Sequence, residues 1–285
     1  MINKYLDPKN DMAFKKIFGE EKNKSIPISF LNAVFNLTEG ETIVDLDFIT
    51  TIQSPEIEAR KESTVDVIVS DQSGCKYIIE MQVAKIEGFE KRAQYYAAKA
   101  YCSNFNSGSP YKELKKIVFL AITVYTLFPN KDEYKSDHVI LDNKTYERDL
   151  KDFSFTFVEL PKFTKTIEEL ETLEEKWYYF LKHAEESNTI DQKLAADPEI
   201  KKAYDVVDRF HWTEQELLAY DRIAMAIADQ LGALAASRNE GIQENKLQTA
   251  LNLLKDNIPM ENVVKWTGLS LEEVKNISLN LNKLL

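Results

Sequence analysis

The stretch Ser63–Lys85, STVDVIVSDQSGCKYIIEMQVAK, sets two carboxylates and an amide inside otherwise apolar segments. Asp66 interrupts one run, and Glu80 and Gln82 interrupt the next. If both runs are strands, a period of two puts Ile78, Glu80 and Gln82 on one face and Tyr77, Ile79 and Met81 on the other. Asp66, on the partner strand, can share the Glu80 face. A carboxylate from each of two adjacent strands suits a hard divalent cation. Mg²⁺ takes oxygen ligands and keeps several waters, so two carboxylates, a backbone carbonyl and a substrate phosphate suffice. Without a cation, like charges buried side by side oppose each other's ionisation. Spacing alone leaves a second reading open, in which both carboxylates lie on a solvent-facing side of the hairpin.

The elements that must position these residues follow from pattern. NDMAFKKIFGEE reads as a short helix, capped by Asn10 or Asp11, with Phe14, Ile17 and Phe18 on one face. SIPISFLNAVFNL continues as a more apolar helix with Pro27 in its first turn. ETIVDLDFITTIQ alternates as a half-buried strand should. Ser63–Ser70 alternates again, with Val65, Val67 and Val69 on one face and Thr64, Asp66 and Ile68 on the other. The cluster DQSGC, containing Gly74, is a turn, and Lys76–Val83 returns as the next strand of an antiparallel hairpin. EGFEKRAQYYAAKAYCSNF reads as a long helix, KKIVFLAITVYTLF as a central strand and SFTFVEL as another strand. From about Thr166 the pattern is helical throughout. The chain therefore divides into an α/β part, 1–165, and a helical part, 166–285.

Composition narrows the function classes. The 285 residues are 44% hydrophobic and 29% charged, enough for a real core in more than one unit. A net charge of −11 argues against a broad nucleic-acid-binding surface, since phosphate neutralisation needs clustered Lys and Arg. The acidity is concentrated between Lys165 and Glu216, where 14 Asp and Glu face 7 Lys and Arg, the pattern of solvated helix faces. Two cysteines and three scattered histidines supply neither a disulfide framework nor a zinc spacing. The N-terminus lacks a basic-then-apolar signal and no run reaches membrane-spanning length, so the expectation is a cytoplasmic protein with no membrane partner.

The ordered set VDVIV, YIIEMQ and KRAQYYAAKAY resembles the PD-(D/E)XK nuclease superfamily, and within it the Rpn-type recombination-promoting nuclease and transposase family. The resemblance begins at DPKNDMAFKKIFG, passes through FLNAVFNL, the hairpin and IVFLAITVYTLF, and reaches FVELPKF; the end, LLKDNIPMENVVKWTGLSLEEV, is similar to the short tail of such proteins. It implies a restriction-endonuclease-like core, a central mixed sheet flanked by helices, that cleaves DNA phosphodiesters with Mg²⁺, for which Mn²⁺ can substitute. Carried over position by position, Asp66 and Glu80 are the catalytic acidic pair and bind the metal with the Met81 carbonyl. Gln82 stands where the superfamily more often has Lys, offering hydrogen bonds without charge, and is read as orienting water. Arg92, Gln94 and Tyr95 match the family's helix after the hairpin and would contact substrate, with Tyr95 or Tyr96 buttressing Arg92. Asp11 and Lys15 match its early D..FK element. Either Asp11 is only an N-cap, or it lies near the metal and Lys15 supplies positive charge.

The end of the chain, about 247–285, has the spacing of a helix-turn-helix around TGLS. Its second helix starts with Glu272 and Glu273 where a DNA reader carries basic or amide groups, which favours packing or a homodimer over base recognition. Three functions compete: a Mg²⁺-dependent DNA endonuclease of mobile elements or recombination; a catalytically weakened nuclease fold that binds or regulates; and an acidic helical scaffold.

Overall fold

The computed structural model describes residues 3–49, 65–103 and 110–284. Among these residues six strands form one mixed sheet: β1 (Leu46–Phe48), β2 (Val67–Asp71), β3 (Lys76–Gln82), β4 (Ile117–Thr123), β5 (Lys135–Val139) and β6 (Phe153–Glu159). Their spatial order is β1-β2-β3-β4-β6-β5. β3, β4 and β6 run parallel, and the other pairings are antiparallel. The expected hairpin is present, closed by a turn in which Gly74 adopts φ +83°, a conformation that a Cβ would strain.

Helices cover both faces of the sheet. On one face α1 (Asp11–Phe18), α2 (Ser25–Phe35), α4 (Leu173–His183) and α6 (Pro198–Val206) pack on Val67, Val69, Ile79, Leu120 and Ile122. Phe18, Phe30 and Trp177 meet at the centre of this layer. On the other face α3 (Phe89–Cys102) lays Phe89, Ala93, Tyr96 and Ala97 over Ile78, Phe119 and Ala121. Strand alternation, period two, assigns each β3 and β4 residue to one layer or the other. β4 is buried at every position, as a central parallel strand should be.

Three expectations are corrected. The chain bends at Asp66, so Val65 joins the α3 layer with Ile68 instead of sharing the face of Val67 and Val69. Among the described residues of the expected strand 41–53, Leu46–Phe48 form the strand and Ile49 N–H still reaches the Ile68 carbonyl at 2.9 Å; residues 50–53, with Ser63 and Thr64 of the next strand, lie outside the described residues. The edge strand β5, KSDHV, was not expected: it is solvated along most of its length and lacks apolar alternation.

By internal contacts the chain divides into Met1–Met225 and Ala226–Leu285. The sequence does turn helical after Lys165, but α4, α5 (Gln192–Ala195) and α6 bury Trp177, Phe180, Leu194 and Tyr204 in the same core as α1 and α2. The helix α7 (Glu214–Lys255) runs through the division. In the second unit α8 (Met260–Thr267) and α9 (Leu271–Leu284) enclose a small core of Ala250, Val263, Leu269 and Val274. Gly268, at φ +66°, ends α8, and Ser270 and Glu273 cap each other at the start of α9. Among the described residues no helix is long and apolar enough to cross a membrane.

One buried ion pair secures the sheet's carboxyl end. Glu159 is fully buried and accepts hydrogen bonds from the Leu127 and Phe128 N–H groups at 2.5 and 2.9 Å and from Lys162 at 2.5 Å. Removing it would orphan two N–H groups and leave Lys162, which also donates to the Phe128 carbonyl at 2.8 Å, without its counter-charge. Glu159→Ala should therefore lose about 3–5 kcal/mol of stability in urea unfolding; a loss below about 1 kcal/mol would show that the loop does not depend on this anchor.

Candidate active site

Asp66 and Glu80 meet across the hairpin. The β2–β3 register pairs Val67 with Ile79, so Asp66, one residue before β2, comes opposite Glu80. Each carboxylate takes a backbone N–H from the other's segment: Asp66 N–H donates to Glu80 Oε2 at 3.2 Å, and Met81 N–H donates to Asp66 Oδ2 at 2.7 Å. Glu80 is 1% exposed, and its neighbour across the parallel β3–β4 pairing is Ala121, whose small side chain leaves it room. Gln82, also buried, turns its amide back onto Glu80 Oε1 at 2.8 Å. From α3, Arg92 Nη2 reaches the same oxygen at 2.8 Å, with its guanidinium 5.0 Å from the ring of Tyr96.

Burial dominates the electrostatics. It pushes the Glu80 carboxyl up to about 6, against the opposing pull of Arg92 and of the Asp66 N–H. Asp66 is raised well above the usual carboxylate range, first by burial and then by the Glu80 charge, with the Met81 N–H pulling the other way. Both carboxylates also feel α1, Asp11 raising them and Lys15 lowering them. The site is short of positive charge.

Helix α1 stands at the rim. Asn10 provides the N-cap, accepting from Met12 N–H at 3.0 Å, which removes the reading of Asp11 as the cap. Asp11 pairs instead with Lys15 at 2.8 Å, one turn on. Both line a cleft of about 650 Å³ together with Lys16, Phe48, Asp66 and Glu216.

Not every expected residue arrives. Gln94 lies on the far side of α3 from Glu80, two residues round the helix from Arg92. Its amide caps back onto the Glu90 carbonyl at 3.1 Å, and it borders a separate hollow with Phe128 and His138. Tyr95 is 56% exposed, and Tyr96, at the i+4 position, is the ring beneath Arg92.

Among the described residues no three His, Cys, Asp or Glu side chains converge as a ready ligand set. The donor chemistry nevertheless fits Mg²⁺, which is held by one or two carboxylates and keeps its waters. Glu80 Oε1 is occupied by Arg92 and Gln82, whereas Glu80 Oε2 takes one donor and Asp66 Oδ1 takes none among the described residues. The Gln82 carbonyl is engaged by Val124 N–H at 3.1 Å on the β4 side, so alternation turns the Met81 carbonyl to the side of Asp66.

A family model for PD-(D/E)XK nuclease family transposases matches residues 8–237. The chain belongs to this family. Neither the curated proteins nor the solved structures gave a match. The mixed sheet flanked by helices is the PD-(D/E)XK fold.

The raised carboxyl sets a pH dependence whose sign follows from linkage. Between the unfolded value of 4.5 and about 6 the folded chain holds more protons at Glu80 than the unfolded chain does, so the Glu80 contribution to stability falls as pH rises through this window. In chelator, the stability of Glu80→Gln relative to wild type should rise by about 2 kcal/mol between pH 4.5 and 7.5. Parallel pH profiles for the two proteins in denaturant titrations would show that Glu80 ionises as freely in the fold as out of it.

Proposed function

We propose that this PD-(D/E)XK protein is a divalent-cation-dependent DNA endonuclease, of the kind that serves mobile elements or recombination. The observation that carries the reading is the buried, charge-deficient Asp66–Glu80 pair, with free oxygen valences at Glu80 Oε2 and Asp66 Oδ1. These two carboxylates and the Met81 carbonyl would hold Mg²⁺ or Mn²⁺, with Asp11 a further oxygen donor at the rim. When bound, the cation supplies Lewis-acid polarisation of the phosphate and a more acidic water.

The chain's own residues do the rest. Asp66 and Glu80 are held ionisable and oriented by each other's backbone N–H groups, so their oxygens need no reorganisation to take a cation. Gln82 donates to Glu80 through its nitrogen, which leaves its amide oxygen to accept a hydrogen bond from a water and aim it. Arg92, a third exposed and stacked on Tyr96, offers its remaining N–H groups to a phosphate, and Lys15 adds positive charge from α1. With Asp66 and Glu80 assigned to the cation and the Gln82 amide unable to take a proton, the water's proton leaves to solvent.

A Gln in place of Lys is compatible with cutting in this arrangement because the amide already makes the contact to Glu80 that an ammonium would make. Gln82→Lys should therefore retain activity within about threefold or exceed wild type, a positive charge there favouring the transition state. The test is nicking of supercoiled plasmid by purified protein in Mg²⁺ or Mn²⁺. Wild type should cut, and Asp66→Ala and Glu80→Ala should fall at least about 100-fold, the scale of losing a preorganised electrostatic group. Equal nicking by wild type and Glu80→Ala would assign the activity to something other than this site.

A further inference from the structure

Helix α3 covers only part of its face of the sheet. A helix with its side chains is about 10 Å wide, the span of about two strand spacings, and α3 lies over β3 and β4. The rings that β6, β5 and the loop after β4 turn to the same face therefore border an open hollow of about 350 Å³. Phe157, Phe128 and His138 form a trio there, with ring centroids 5.2 to 5.4 Å apart. Phe155 extends the wall, and Glu90 and Gln94 border it from α3. The hollow lies in line with the acidic pair. Glu80, Ala121 and Phe157 are successive partners in one row across β3, β4 and β6, so Phe157 stands about 10 Å from Glu80 on the same face.

The chemistry of the hollow selects its occupant. Aromatic walls favour a flat ring that can stack on them. Glu90 is exposed and makes no ion pair among the described residues, so this border repels a phosphate and accepts from an amino group. The positive charge stands beside the rings instead: Lys131 Nζ is 5.1 Å from the centre of Phe128 and 3.4 Å from His138 Nε2. Burial and the Lys131 charge hold His138 below its ordinary value, so its ring is neutral at neutral pH. A nucleotide answers all three features, with its base against the rings, an amino edge toward Glu90 and its phosphate toward Lys131. A base inside a duplex is stacked and paired, and reaches such a walled hollow only when it is unpaired or extruded.

We propose that the hollow bordered by Phe128, His138, Phe157 and Glu90 binds one unstacked base of a DNA strand, so that the protein prefers DNA with an unpaired nucleotide near the acidic pair. In the nuclease reading, on which the identity of the substrate rests, that nucleotide is a neighbour of the phosphate being cut. Gln94, turned away from Glu80, then meets the substrate at the base and not at the metal.

Fluorescence anisotropy with labelled oligodeoxynucleotides in chelator, where nothing is cut, tests this directly. Wild type should bind a dC strand more tightly than a fully paired duplex, and more tightly than a dT strand, whose base has no amino group. Phe128→Leu keeps an apolar side chain but removes the stacking ring. It should weaken strand binding about tenfold or more and duplex binding less than about twofold. Glu90→Ala, at an exposed position, should erase the preference for dC over dT, and it tests the same hollow should Phe128→Leu fail to fold. Strand affinity and base preference unchanged in both variants, or strand and duplex weakened alike by Phe128→Leu, would overturn the proposal. Selective loss of strand binding in the variants, with no cutting of any DNA by wild type in Mn²⁺, would uphold the hollow and sink the nuclease reading. Cutting by wild type, with variants that bind strands as it does, would do the reverse.

Discussion

Two carboxylates in low-dielectric surroundings, each gripped by a backbone N–H from the other's strand, are the constraint around which this molecule is arranged. Asp66 and Glu80 cannot drift apart without breaking the Asp66 N–H and Met81 N–H contacts, and those contacts exist only in one hairpin register. A slip by one residue would turn Glu80 into the α1/α2 layer and Ile79 out of it. The reciprocal bonds therefore tie the chemistry to the same register that the hydrophobic pattern demands. Arg92 and Gln82 converge on the single oxygen Glu80 Oε1 and leave the repulsion between the carboxylates only partly relieved.

The remainder of the first unit serves that hairpin. Helix α3 must cross the sheet at Ala93 and Ala97 for Arg92 to reach Glu80 while Tyr96 lies beneath it. β4 must be narrow at Ala121, and its loop must be pinned by Glu159, for the carboxyl end of the sheet to close around Gln82. Asn10, rather than Asp11, caps α1, so the carboxylate of Asp11 and the ammonium of Lys15 remain at the cleft. Local choices at caps, small residues and loop anchors thus converge on one electrostatic arrangement.

Much of this was legible in the chain itself. The hairpin, the shared face of Asp66 and Glu80, the helix that carries Arg92 and the central position of β4 all follow from periodicity and turn chemistry, because buried strands with one polar side chain leave little freedom. What was not legible has physical reasons. β5 is an edge strand, and its KSDHV sequence answers to solvent rather than to a core. The bend at Asp66, which moves Val65 to the other layer, arises from contacts between the carboxylates and the backbone, not from pattern. Gln94 and Tyr95 were grouped with Arg92 through the family's helix motif, but at about 100° per residue Gln94 turns away from Arg92, and Tyr95 stays 56% exposed while Tyr96 takes the place beneath the guanidinium. Helices α4 to α6 look like a separate acidic region because their outer faces are charged; their inner faces complete the core of α1 and α2.

The central claim is that Asp66 and Glu80 jointly form the seat of a divalent cation, and calorimetric titration with Mn²⁺ at pH 6 tests it most directly. Run in two buffers of different ionisation heat, wild type should bind and release on the order of one proton, because a carboxyl held near pH 6 must ionise to take the metal. Asp66→Asn and Glu80→Gln should each weaken binding at least about tenfold, and Glu80→Gln should release fewer protons. Binding of equal affinity and equal proton release in wild type and both variants would place the cation elsewhere and contradict the account.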